Sequence, residues 1–357
     1  MKVTAFVLSL LLVACGAAPA PVPPVGTPAE IIFTTDSSGA HHVVSVRPGT
    51  ATRELPAGAL AVGLSAGGDV GEAYLVTSTG SRARVLRVLP AKGFVTEVVA
   101  DGPGGGDAQA ALLPAPELSH FVGSKTVLVV RFGNGRLTGY QAGTQIWSVA
   151  HPTIAGTAVA ELVGLGAAAA LGDGVAAWGL LVVETGEIKP VAGCEAGPLA
   201  AIGTAVVFSC RGELDTVPSL GPPAPIGQLV GVPWTLPTPD GGILMVWPGG
   251  DFLRLDKHGA SVGTGRLPAP NARPLLTPDG KQLLVVTDAG VLGLDLASRR
   301  SSQIVSEAAI DSIGLSRDGN FIYVLRAGQL EVFGASSGAR LASHPAAGTE
   351  IELVAGG

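Results

Sequence analysis

Gly63-Leu64-Ser65-Ala66-Gly67 matches the G-x-S-x-G pattern that sets a nucleophilic serine on a strained turn between a strand and a helix. The following residues, Gly68 to Ser78, read as a strand instead of a helix, so the pattern lacks the context that acyl transfer needs. The six histidines are His41, His42, His120, His151, His258 and His344. None stands at a spacing that pairs metal ligands on one element. His41 and His42 are adjacent, so on a strand they point to opposite faces, and one of them could face inward. Gly102-Pro103-Gly104-Gly105-Gly106-Asp107 is rich in glycine. It lacks the G-K-[ST] ending and the following helix of a phosphate loop, and it reads as a surface loop. Asp240, Asp279 and Asp318 recur at intervals of 39 residues. Recurring aspartates can suggest calcium, but one carboxylate per repeat cannot supply the six to eight oxygens of such a site. The expectation is therefore of no catalytic, cofactor-binding or metal-binding constellation, and of no cofactor.

The three cysteines divide into one and two. Lys2 supplies a positive start, Val3 to Val13 form an apolar stretch too short for a permanent membrane helix, and Cys15 stands where that stretch ends. Leu12-Val13-Ala14-Cys15 resembles the lipobox of bacterial lipoproteins. The resemblance implies cleavage before Cys15 and a diacylglycerol on its thiol. Residues 1–14 are then a leader. Residues 15–29, rich in proline and alanine, are an extended tether, and residues 30–357 are one folded domain. Gly16 follows the cysteine where an aspartate does not, which by the same resemblance favours an outer membrane. Cys194 and Cys210 remain as an even pair in an exported chain. The strands around them read as a hairpin whose ends approach, so a disulfide is expected, two free buried thiols being the alternative.

Positioning elements follow from the repeats. Trp234, Arg273 and Asp311 each begin a segment with one plan. A short apolar strand runs into Asp-Gly, a hairpin turn. Then come an apolar strand (ILMVWP, QLLVVT, FIYVLR), a glycine-containing turn, a third strand and a fourth. Walking back in the same phase places first strands near Leu60, Glu117, Ala160 and Leu199, with an insert around Asp101 to Asp107. Glu350 begins a first strand with nothing after it, whereas Glu30 opens on strands two to four with no first strand. The two ends complete one another, which closes a ring and removes the free edge. The expected fold is all-β, a β-propeller of four-stranded antiparallel blades closed by the N- and C-terminal strands. The count is eight blades, with seven the alternative. In this register Ser65 aligns with Ser316 and is a turn residue.

Composition agrees. Glycine (52) and proline (27) are abundant, charged residues are only 14% and hydrophobic residues 47%. Ordinary soluble domains carry roughly 25% charged residues. Stacked sheets buried on both faces are built from apolar runs, and each tight turn takes Gly, Asp, Asn or Pro. Such hydrophobicity excludes a disordered chain, and a net charge of −6 argues against nucleic acid as a partner. The longest charge-free runs, Leu137 to Ala160 and Thr216 to Pro239, are broken by proline and polar residues and cannot be membrane helices. The four tryptophans, Trp147, Trp178, Trp234 and Trp247, read as packing between blades.

Leu276-Thr277-Pro278-Asp279-Gly280-Lys281 and Leu315-Ser316-Arg317-Asp318-Gly319-Asn320, with Tyr323-Val324, resemble the YVTN/lactonase-like β-propeller repeats of exported bacterial proteins. Gly143-Thr144-Gln145-Ile146-Trp147 is similar to the ending of PQQ-like propeller repeats, a group that includes envelope-assembly lipoproteins. Both resemblances imply a propeller, and propellers host unrelated functions. The leading functional expectation is a non-enzymatic lipoprotein, anchored to the envelope through Cys15 and binding an envelope protein or polymer. The alternatives are a lactonase-like hydrolytic propeller with a metal in its channel, and an assembly scaffold like the PQQ-like lipoproteins.

Overall fold

The computed structural model describes residues 31–35, 41–45, 53–54, 60–62, 73–79, 81–89, 95–104, 108–114, 126–141, 143–165, 168–192, 194, 197–202, 205–210, 213–218, 224–228, 231–316 and 318–355. Cys15, the leader 1–14 and the tether 15–29 lie outside them, as do Ser65, His120, Asp107 and the side chain of His41.

Strands account for all regular structure among the described residues. They form eight four-stranded antiparallel sheets and one small two-stranded hairpin, and none of these sheets closes on itself. Sheet 1 joins the two ends of the domain, in the order Arg53–Glu54, His41–Ser45, Ile31–Thr35, Glu350–Ala355. The others are consecutive meanders. Sheet 2 spans residues 60–103, sheet 3 residues 109–149, sheet 4 residues 161–191 and sheet 5 residues 198–228. Sheet 6 spans residues 234–266, sheet 7 residues 275–305 and sheet 8 residues 312–345.

From sheet 2 to sheet 8 each sheet packs face to face on the next, and the second strands show why. In Gln282–Thr287, Leu283 and Val285 point one way and join Leu236, Leu244 and Val246 of sheet 6. Leu284 and Val286 point the other way and join Ile322, Val324 and Phe333 of sheet 8. Side chains alternate across a strand, so a strand covered on both faces must be apolar at every position. The same sharing links sheets 2 and 3, 3 and 4, 4 and 5, 5 and 6, and finally sheet 8 with Ile351 of sheet 1.

Two sequence expectations need correction. The first strand of sheet 3 is Gln109–Pro114 and does not lie near Glu117, which is outside the described residues. The run from Asp101 is not wholly loop. Asp101, Gly102 and Pro103 complete the strand Val95–Pro103, paired to Arg84, Ala83 and Arg82. Glycine and proline at that strand end mask it in the sequence, but Arg82 donates two hydrogen bonds of 2.9 Å to the Asp101 carboxylate and ties it to its neighbour. The hairpin of Thr153–Ile154 and Thr157–Ala158, between sheets 3 and 4, has no counterpart in the repeat plan. Its Ile154 is buried in the core those sheets share.

Candidate functional site

The recurring aspartates sit in equivalent hairpins, between the first and second strands of sheets 6, 7 and 8. Each accepts a hydrogen bond from the hydroxyl two residues earlier: Thr238 to Asp240, Thr277 to Asp279, Ser316 to Asp318. Each turn is closed by a glycine N–H donating to the carbonyl of that same Thr or Ser. The bond from Thr238 holds the Asp240 carboxyl below the usual carboxylate range, and the bond from Thr277 does the same for Asp279. At Asp318 partial burial pushes the other way, but hydrogen bonds from Ser316 and Asn320 outweigh it and the net direction is again down. These carboxylates stay ionised as turn caps. They belong to three different sheets.

The described histidines do not converge. His42 lies in sheet 1 opposite Thr34, and His344 in the outer strand of sheet 8. His151 and His258 are exposed, His258 in a turn capped by Asp256. Cys194, Cys210 and Asp215 are the one group of metal-ligand type among the described residues. The two sulfurs are bonded to each other, across the open end of the hairpin formed by Pro198–Ile202 and Ala205–Cys210. In that state they offer no thiolate to a metal.

The tryptophans are packed against the cores between sheets. Trp147 of sheet 3 donates its Nε1 hydrogen to the Val183 carbonyl oxygen of sheet 4 at 2.7 Å. Trp178 meets Phe208 edge to face, with ring centroids 6.4 Å apart.

First strands of successive sheets lie side by side. Contacts join sheets 2 and 3, 3 and 4, 5 and 6, 6 and 7, 7 and 8, and sheet 8 with Glu350–Ala355. Side-chain hydrogen bonds stitch them together. Gln109 accepts from Leu162 N, Thr235 donates to the Leu199 carbonyl at 3.0 Å, Arg273 donates to the Thr235 carbonyl at 3.3 Å, and Ser312 accepts from Ile351 N. Sequence reading missed this arrangement. The available signal was a polar residue near the start of successive first strands.

A cavity of about 340 Å³ opens among these strands. Gly164 and Leu165 line it from sheet 4, Leu199, Ala200 and Ala201 from sheet 5, and Thr235, Pro237 and Ile243 from sheet 6. Arg273, ahead of the first strand of sheet 7, is the charged residue on its wall. The wall is suited to an apolar body with one anionic group, and neither a carboxylate nor an imidazole is among these lining residues.

No protein-family model and no curated protein matches the chain. Many solved structures do. Apo AztD from Citrobacter koseri is 14% identical, with a TM-score of 0.51 over 90% of this chain and 96% of that one. The dihydro-heme d1 dehydrogenase NirN in complex with DHE is 13% identical, with a TM-score of 0.57 over 93% of this chain and 76% of that one. BamB from Moraxella catarrhalis aligns at 13% identity and a TM-score of 0.45, over 88% and 93% of the two chains, too loosely to bear on the fold. AztD and NirN are β-propellers. Together with the face-to-face stacking of four-stranded sheets, the similarity identifies this fold as a β-propeller.

Proposed function

We propose that the chain is a non-enzymatic extracytoplasmic lipoprotein: an eight-bladed ring closed through sheet 1, held at an envelope membrane by lipid on Cys15, and binding an envelope protein or polymer. The observation that carries the binding reading is where the reactive side chains are spent. The recurring carboxylates cap turns, and the cavity between first strands is walled by small apolar residues and one arginine. Pairing of Ile31–Thr35 with Glu350–Ala355 supports the closed ring, since a blade made from both ends leaves no edge there. The Cys194–Cys210 disulfide supports an oxidising compartment outside the cytoplasm. Where the organism has an outer membrane, Gly16 after the cysteine favours that membrane.

Two measurements test this. Crosslinking in the native envelope followed by mass spectrometry is expected to recover the same partner in every replicate. Capture of no reproducible protein or envelope polymer counts against the binding role. A Cys15→Ala chain is expected to leave the membrane fraction and carry no lipid. Its retention there with lipid still attached would sink the anchor.

A further inference from the structure

Seven of the described arginines face a carboxylate. Arg82 and Arg84 face Asp101, Arg87 faces Glu97, Arg254 faces Asp240, Arg266 faces Asp251, and Arg326 and Arg340 face Glu331. Arg273 differs. It makes no ion pair among the described residues, and its single hydrogen bond is the one from Nη2 to the Thr235 carbonyl, at 3.3 Å. A guanidinium has five N–H donors in a planar fork that matches a carboxylate or phosphate, so most of that capacity is unused.

The place where it is unused matters. Arg273 borders the 340 Å³ cavity, whose other lining residues are apolar apart from Thr235. The Thr235 hydroxyl already donates to the Leu199 carbonyl. The volume is at the small end of small-molecule pockets, which run from about 300 to 1,000 Å³. In the equivalent positions of sheets 6 and 8 stand Trp234 and Ser312, so the cation is not part of the plan these three sheets share.

We infer that this cavity binds a small organic anion. The carboxylate or phosphate sits on the free N–H groups of Arg273, and the apolar body lies against Leu165, Leu199, Ala200 and Ile243. A neutral ligand would leave the guanidinium charge uncompensated, and a cation would be repelled by it. This deepens the binding reading above and rests on it for the chain being a binder. It does not involve the anchor or a protein partner.

The test is calorimetric titration of the purified mature chain in nanodiscs of uncharged lipid, with empty nanodiscs as the blank. The probes are matched pairs: phenylacetate against phenylacetamide, and hexyl phosphate against hexanol. At least one anion is expected to bind about tenfold more tightly than its neutral partner, the worth of one charge-assisted contact. Arg273→Gln is expected to bring the anion down to the neutral level, and Arg273→Lys to restore part of the difference. The stronger of the two anions assigns the headgroup. Arg273 is exposed, so both variants should keep the wild-type unfolding midpoint, which is measured alongside. Equal binding of anion and neutral partner, no binding of either anion, or undiminished anion binding by Arg273→Gln overturns the proposal. A failed crosslinking search with successful anion binding removes the polymer-binding role and leaves this site standing. The reverse pattern removes the site alone.

Discussion

Glu331 is 4% exposed, deep in sheet 8, and would be costly to ionise there without partners. It has them: Arg326 Nε at 2.8 Å and Arg340 Nη1 at 2.8 Å, with Glu307 a further 3.0 Å partner for Arg326. The hydrogen bond from Arg326 is the main cause that holds its carboxyl below the ordinary glutamate value of 4.5. A folded-state pKa lower than the unfolded one stabilises above the unfolded value and is lost as pH falls through the folded one. Glu331→Gln should therefore cost about 1–2 kcal/mol near neutral pH, less than a fully buried pair because both arginines reach solvent. The gap between variant and wild type should narrow below pH 4.5, as urea unfolding at several pH values would show. An unchanged gap on acidification would mean that packing, not charge, makes the difference. Sequence gave no hint of this triad, because Arg326, Glu331 and Arg340 lie on three different strands.

The hairpins carry the fold from one sheet to the next. Gly280 adopts a φ of +69°, and a Cβ placed on it would stand 2.8 Å from Pro239 Cδ of the preceding hairpin. Gly319 repeats the contact against Pro278 at 3.0 Å. The Thr/Ser-x-Asp-Gly pattern thus caps its own turn and docks on its neighbour, which is why it was legible in sequence at constant spacing. Gly280→Ala should cost about 1–2 kcal/mol for the left-handed backbone alone, with the proline contact adding to it. Gly263→Ala, in the strand Ser261–Arg266 with open space around it, should be close to neutral. Chemical denaturation of the two variants makes the comparison, and equal costs would remove the docking role. The first strand of sheet 3 was less legible. Gln109–Pro114 has no aspartate-glycine turn after it and follows directly on the glycine-rich run, so its phase had no local marker.

At the scale of the molecule, continuity from sheet to sheet depends on the last strand. Glu350–Ala355 pairs with Ile31–Thr35, and its Ile351 packs on the core of sheet 8 and bonds Ser312. A chain ending at Thr349 would expose one edge of Ile31–Thr35 and one face of sheet 8. It should unfold at lower urea with a shallower slope, and it should self-associate through the free edge. A truncated chain with the wild-type midpoint and slope would show that the terminal pairing is dispensable.

The sequence by itself determined the all-β plan, the stacking of sheets buried on both faces, and the turn role of Asp240, Asp279 and Asp318. These depend on local facts: side-chain alternation, burial period and turn chemistry repeat within each forty-residue unit, and a single chain displays them in order. Only the tertiary structure decided that Arg273 faces a cavity, that Trp147 bridges to Val183, and that Glu331 gathers two arginines. The cavity wall comes from three sheets and the segment leading into a fourth, with members as far apart as Gly164 and Arg273. Its shape depends on how neighbouring sheets pack on one another, and residue spacing along the chain does not encode which side chains border that wall.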